Sequence, residues 1–230
     1  MRHLALAALV AFATPALAAE APYLTAKQVD LLRLLPPPPA PGSAEDRADL
    51  QAVLDAQAAR TPERLALAAA DAVETLPAMF GAILGPDVTE ARAPALFRMF
   101  ARLAETEEDV TAPAKAGFGR PRPFQAHPDQ VKPAIRRSNS GAWPSGHTTI
   151  STVAGIALAS MLPERRDAIF ARMREYSQSR VVGGVHYPSD LVAGARAGTA
   201  IAAVLFNDPA FQADYAAARQ ELRAALGLAQ

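Results

Sequence analysis

The chain has 230 residues, half of them apolar, with 23 Lys plus Arg balanced by 23 Asp plus Glu and no cysteine. Such a length suits one domain with a sizeable core. The charge balance offers no basic excess for nucleic acid or an anionic membrane as a bulk partner, and the missing thiols exclude disulfides, thiolate zinc sites and a cysteine nucleophile.

The N-terminus reads as a cleaved export signal. Arg2 and His3 make a short basic start, Leu4 to Phe12 is apolar, and Thr14-Pro15-Ala16-Leu17-Ala18 ends in a small-x-small cleavage site. The apolar stretch falls short of the roughly 20 residues that span a bilayer. Residues 1–18 are therefore assigned to the signal and 19–230 to a single domain. The mature protein is expected in the periplasm or outside the cell, with no membrane insertion after cleavage.

The rest of the pattern is helical, with no sustained period-two alternation. Thr25-Ala26-Lys27-Gln28 fits a capping box for a first short helix, which must stop at Pro36 to Pro39; that proline run predicts an extended strap packed on the body. Ser43 opens a helix running to about Arg60, and Thr61-Pro62-Glu63 opens another. A further helix is predicted over Ala91 to Val110, with Glu105, Glu107, Glu108 and Asp109 as a solvated acidic end. Lys115 to Gly141, rich in proline, glycine and basic residues, predicts a long functional loop. Thr148 to Leu162 is an apolar helix. Pro163-Glu164 begins the next, which carries Ser179 and Arg180 and breaks at Gly183-Gly184. Leu191 to Phe206 predicts a buried core helix, and an amphipathic tail helix follows Asp208-Pro209. Ala-rich faces allow a homo-oligomer without demanding one.

Three short segments carry chemistry: Lys115 with Arg122-Pro123, then Pro144-Ser145-Gly146-His147, then Ser179-Arg180 with His186 and Asp190. Their cations can hold phosphate oxygens. One histidine can attack phosphorus, another can protonate the leaving oxygen, and Asp190, four residues after His186, can orient it. Any single piece is weak; the joint spacing is specific. It resembles the three-part signature of the phosphatidic-acid phosphatase type 2 superfamily, which includes bacterial class A acid phosphatases, membrane lipid phosphatases and vanadium haloperoxidases. Tyr23-Leu24-Thr25, Leu34 to Pro39, Ala91 to Leu96, Arg120 to Phe124 and Ser179 to His186 resemble class A acid phosphatases more narrowly. Trp143 and Tyr187 depart from that pattern; with Phe118 they either wall a leaving-group pocket or belong to the core.

The resemblance implies an all-α bundle of the acid phosphatase and vanadium haloperoxidase type. It also implies metal-independent hydrolysis of small phosphate monoesters, with no cofactor, and phosphotransfer to alcohols as a further outcome. His186 would be the nucleophile, Asp190 its orienting carboxylate and His147 the general acid. Lys115, Arg122 and Arg180, with the Ser145 hydroxyl and the Gly146 amide at a helix N-terminus, would bind phosphate. Ser179 would at least hold Arg180 locally. The alternatives are a vanadium-dependent haloperoxidase, a lipid or isoprenoid phosphatase, and a non-catalytic helical binding module.

Overall fold

The structure is a computed structural model and describes residues 21–229; the expected signal at 1–18 lies outside them. The described residues form helices and no strands, as the sequence implies. Two short pieces are α1 (Leu31–Leu34) and α6 (Pro123–Ala126). The longer helices are α2 (Ala44–Ala58), α3 (Pro62–Ala70), α4 (Leu76–Leu84), α5 (Pro94–Phe118), α7 (Gly146–Met161), α8 (Arg166–Val182), α9 (Pro188–Leu205) and α10 (Pro209–Ala225). No single described helix is long and apolar enough to cross a membrane.

Local chemistry sets most helix starts. Ser43, Thr61, Thr75, Ser145 and Asp208 each accept a hydrogen bond from an amide in the first turn, and proline occupies the first turn of α3, α4, α5, α9 and α10. Half of the Thr25–Gln28 box forms, with Gln28 Oε1 accepting from the Thr25 amide and hydroxyl, and it closes only one turn; the helix proper begins at Leu31, capped by Asp30. Helix α4, which the pattern did not suggest, starts the same way at Thr75. The strap at Pro36 to Pro39 is non-helical and half rests on the body.

Helix α5 takes over only the start of the expected long loop, which otherwise stands over 119–141 apart from the single turn of α6. It does not stop near Val110 but runs through Pro113 to Phe118, where Gly119 ends it at φ 62°. An interior proline loses one ladder bond and costs about 3 kcal/mol. Burial of Val110, Thr111, Ala114 and Lys115 opposes that cost. Lys115 therefore projects from a helix, two turns beyond Glu107.

Helix α7 is the centre of the bundle, packed by α5, α8 and α9. Nearly all its residues are buried, including Thr148, Thr149, Ser151 and Thr152. The hydroxyls of Thr149, Ser151 and Thr152 bond back to carbonyls one turn earlier, at 2.7–3.1 Å, and that of Thr148 donates to Ser145 Oγ at 3.1 Å, so polar side chains cost little there. Helix α9 crosses α7 closely enough that a Cβ at Gly194 would lie 2.6 Å from the Ser145 carbonyl oxygen, and one at Gly198 2.7 Å from that of Thr149. This contact fixes the N-termini of α7 and α9 side by side.

Gly198→Ala is therefore expected to lower stability by about 1–3 kcal/mol through overpacking, read as a lower thermal midpoint. Gly81→Ala, whose Cβ would meet only Pro77 Cβ at 3.8 Å, is the control and should not lower it.

Candidate active site

His186 lies in the tight turn between α8 and α9, where Gly184 takes φ 73°. The residue is 1% exposed. Its Nδ1 is 3.2 Å from Asp190 Oδ2. Asp190, at the third position of α9, is sealed from solvent and collects donors: the Tyr187 amide at 2.8 Å and Arg120 Nη1 at 2.6 Å. Burial raises the Asp190 carboxyl, while Arg120 and the Tyr187 amide pull it back. Neither donor can accept a hydrogen bond, so the geometry suits a carboxylate, with the His186 proton on Nδ1. The Nε2 lone pair is then free to act. Burial, with the nearby charges of Arg122 and Arg180, holds the imidazole well below its ordinary range and therefore neutral.

The lone pair faces a cluster of cations. Arg122 Nη1 donates to His186 Nε2 at 2.8 Å and to the Val185 carbonyl at 3.1 Å, and its Nε donates to the Ser140 carbonyl at 2.9 Å. Arg180, near the end of α8, is 4% exposed, and its Nε and Nη1 are buried with no hydrogen-bond partner among the described residues. Burial and the charge of Arg122 push its guanidinium down, to about 10. Lys115 Nζ lies 3.7 Å from Glu107 Oε1. All three cations line one cavity of about 140 Å³ with Gly146, His147 and His186. An unpaired buried guanidinium is costly, and an anion seated in this cavity would satisfy it.

His147, in the first turn of α7, stands at the mouth. Its Nδ1 is 2.6 Å from Glu74 Oε1, its Nε2 is 3.4 Å from the Ala72 carbonyl, and its ring stacks on Tyr176. Burial pushes the His147 imidazole below its ordinary value against the pull of Glu74. Burial pushes Glu74 up, but the hydrogen bond and charge of His147 hold it low. Beyond His147 opens a polar chamber of about 410 Å³, lined in part by Glu74, Arg136, Arg137 and Asn139.

The structure thus brings together His186, Asp190, His147, Lys115, Arg122, Arg180 and Gly146. Ser145 stands behind the wall: it is fully buried, and its Oγ caps α7 by accepting from the Thr148 amide and hydroxyl. Ser179 is not merely a local support. Its Oγ donates to buried Asp71 at 2.5 Å and accepts from Arg64 Nη1 at 3.0 Å, which anchors the end of α8 that carries Arg180. Trp143 and Tyr187 are core residues. Glu107 is not part of a solvated face; it is buried in the cavity wall. Sequence reasoning also passed over Glu74, and over Arg120 as a brace. Arg120 Nη2 bonds Asp49 Oδ2 at 2.8 Å while Nη1 bonds Asp190, under the Tyr187 ring at 4.2 Å. Among the described residues, no group of three or more His, Asp or Glu is placed to hold a metal ion.

The pattern of the PAP2 superfamily matches residues 99–213. The chain belongs to the PAP2 superfamily. The matched stretch holds every residue of the cavity named above except Glu74. Several curated members are similar over most of their length. A non-specific acid phosphatase of Providencia stuartii is 33% identical over 207 residues, covering 86% of this chain and 84% of that protein. A non-specific acid phosphatase of Salmonella typhi is 33% identical over 195 residues, 82% of this chain and 78% of that one. An acid phosphatase of Zymomonas mobilis is 32% identical over 202 residues, 85% and 76%. The crystal structure of a transmembrane PAP2-type phosphatidylglycerolphosphate phosphatase from Bacillus subtilis shares the fold, with TM-score 0.54 and 18% identity over 73% of this chain and 87% of that one.

Arg120→Ala would leave Asp49 and Asp190 buried without their shared partner. The expected loss is about 3–5 kcal/mol in urea denaturation. Arg120→Lys should recover little of it, because one ammonium cannot bridge both carboxylates as the planar fork does.

Proposed function

We propose that this PAP2 protein is an exported acid phosphatase that cleaves small phosphate monoesters through a phosphohistidine at His186. The observation that carries the reading is the buried guanidinium of Arg180, whose Nε and Nη1 have no partner among the described residues and which lines the same cavity as the unprotonated Nε2 of His186. The acid phosphatases similar over most of this chain favour it over the haloperoxidase and lipid phosphatase alternatives.

The ester phosphate sits among Lys115, Arg122, Arg180 and the Gly146 amide, and its charge replaces the present contact between Arg122 and His186. Those donors stabilise the charge spread over the equatorial oxygens in the transition state. His186 Nε2 attacks phosphorus in line and forms the P–N bond. The P–O bond to the leaving group breaks, its electron pair stays on oxygen, and His147 supplies the proton. The Asp190 carboxylate stabilises the positive charge that develops on His186. In the second half, neutral His147 takes a proton from water as the water oxygen bonds phosphorus. The P–N bond breaks and its pair returns to Nε2. An alcohol in place of that water gives phosphotransfer. The leaving group departs past His147 into the polar chamber beside Glu74.

The signs of the pKa shifts fix the pH window. His186 must be neutral, and its pKa is held far down, so the acid limb lies low. His147 must be protonated for the first step, and its pKa is also lowered, so activity falls before neutrality is passed. The window lies on the acid side.

Purified protein should hydrolyse an aryl phosphate with an acid optimum, and His186→Ala should lose at least about a thousandfold in kcat. Undiminished turnover in that variant would sink the proposal. Glu74→Gln removes a group that raises the His147 pKa. It should move the alkaline limb of kcat to lower pH and slow an alkyl phosphate by about 10–100-fold, with a smaller loss on an aryl phosphate, whose better leaving group depends less on the proton.

A further inference from the structure

Glu107 takes no part in that mechanism, yet it occupies the phosphate cavity. Its side chain is 7% exposed. Its Oε1 accepts from Thr111 Oγ1 at 2.7 Å and lies 3.7 Å from Lys115 Nζ, while Oε2 makes no hydrogen bond to a described residue. A Cβ built on Gly146 would lie 2.7 Å from Lys115 Nζ and 2.8 Å from Glu107 Oε1. Both groups are therefore pressed against the first residue of α7, the place an anion would take. A carboxylate here neutralises Lys115 and repels phosphate, which is the reverse of what Lys115, Arg122 and Arg180 do.

We infer that Glu107 makes phosphate binding proton-linked, so that the site takes a phosphate ester together with one proton held on the Glu107 carboxyl. The inference rests on the reading of this cavity as the phosphate seat. Ionised, Glu107 holds Lys115 to itself. Protonated, it releases Lys115 to the phosphate oxygens, and its own O–H becomes one more donor toward them. No covalent step is involved; the proton comes from solvent and returns when product leaves.

The surroundings agree. On α5, Thr111 and Lys115 stabilise the carboxylate while Glu108 opposes it. From before α4, Glu74 opposes it too. Arg122, the α7 residues Gly146 and His147, Arg180 of α8, and His186 complete the wall. Burial is the largest influence on Glu107 and raises its carboxyl above the ordinary range, with Glu74 and Glu108 adding to it and Lys115 and Thr111 pulling back. An arriving phosphate adds negative charge beside the group and raises it again. By linkage, affinity is greatest below the pKa of Glu107 in the free protein and is lost as pH rises from there through its higher pKa in the complex.

The consequence is selectivity that depends on pH at the binding step, separate from the histidines that govern turnover. At low pH the site offers phosphate a donor from Glu107 and an unpaired Lys115. Above the pKa of the Glu107 carboxyl it offers a carboxylate and a lysine already engaged.

The test uses native protein and Glu107→Gln with inorganic phosphate as the probe. The competitive Ki for phosphate is measured from pH 4.5 to 8, and proton uptake on binding is measured near pH 6.5 by calorimetry in two buffers of different ionisation heat. His147, His186 and phosphate itself titrate in both proteins, so the difference between them isolates Glu107. The native Ki should rise more steeply with pH than that of the variant, by up to about tenfold per unit. At the upper end Glu107→Gln should bind phosphate more tightly than native protein. Its proton uptake should be smaller by a large fraction of one proton. Thr111→Val keeps the carboxyl but removes a bond to its ionised form, so the decline in affinity should move to higher pH; this second variant serves if Glu107→Gln folds poorly. Parallel pH curves with equal proton uptake, or an equal weakening by Glu107→Gln at every pH, would overturn the inference and leave Glu107 a mere support for Lys115. If native protein hydrolyses aryl phosphate and gives those parallel curves, only this inference falls. If it neither binds phosphate nor hydrolyses the ester, the phosphatase reading falls with it.

Discussion

Asp190 has no access to solvent, and a carboxylate in that position persists only through the donors around it. The fold supplies them from two parts of the chain. Arg120, from the segment after α5, takes one oxygen; the Tyr187 amide and His186 Nδ1 take the other. The Asp190 backbone carbonyl accepts from the Ser145 amide at 3.1 Å, tying the start of α9 to the start of α7. Gly194 and Gly198 allow that approach. One buried residue thus sets the tautomer of His186, the register of α7 and α9, and the position of the brace that reaches α2 through Asp49. Loosening it would loosen His186 and the cavity together.

The second constraint is uncompensated positive charge. Arg122, Arg180 and Lys115 converge on a small space, and the nearest carboxylates serve other partners: Asp190 holds Arg120 and His186, Asp71 holds Arg172 and Ser179, and Glu74 holds His147. Glu107 alone answers Lys115, loosely. Such an arrangement is held by the surrounding helices rather than by its own contacts, and it leaves a site ready for a multiply charged anion. The two histidines divide the work by environment. His186 is dry, neutral and braced by a buried carboxylate. His147 is at the rim, paired with a half-exposed one, where it can exchange protons with solvent. Under the proposed mechanism, that contrast between the two dyads is what would separate nucleophile from acid.

Much of this is legible in the sequence, and the residues that are not legible share a cause. The joint spacing of Lys115, Arg122, His147, Arg180, His186 and Asp190 is enough to group the residues of the cavity, and Ser, Thr and Pro caps mark most helix starts. Periodicity tells which face of a helix a residue occupies, but not what covers that face. Glu107 sits in an acidic run that looks solvated, yet its face meets the N-terminus of α7. Pro113 reads as a helix breaker, yet packing against α7 outweighs one lost ladder bond, so Lys115 stands on a helix instead of a loop. Glu74 and Asp49 carry no local signal at all; each becomes functional only when a distant element is laid against it. Ser145 shows the converse, since a residue inside a strong motif also serves as the cap of its helix.

The measurement that bears most directly on this account is rapid mixing of the protein with a phosphate ester labelled on phosphorus, followed by quenching in alkali, where a phosphohistidine survives. Label retained on the peptide containing His186, formed within one turnover and absent from His186→Ala, is the result the mechanism requires. Full turnover with no covalent label at any time, or label on another residue, would contradict it.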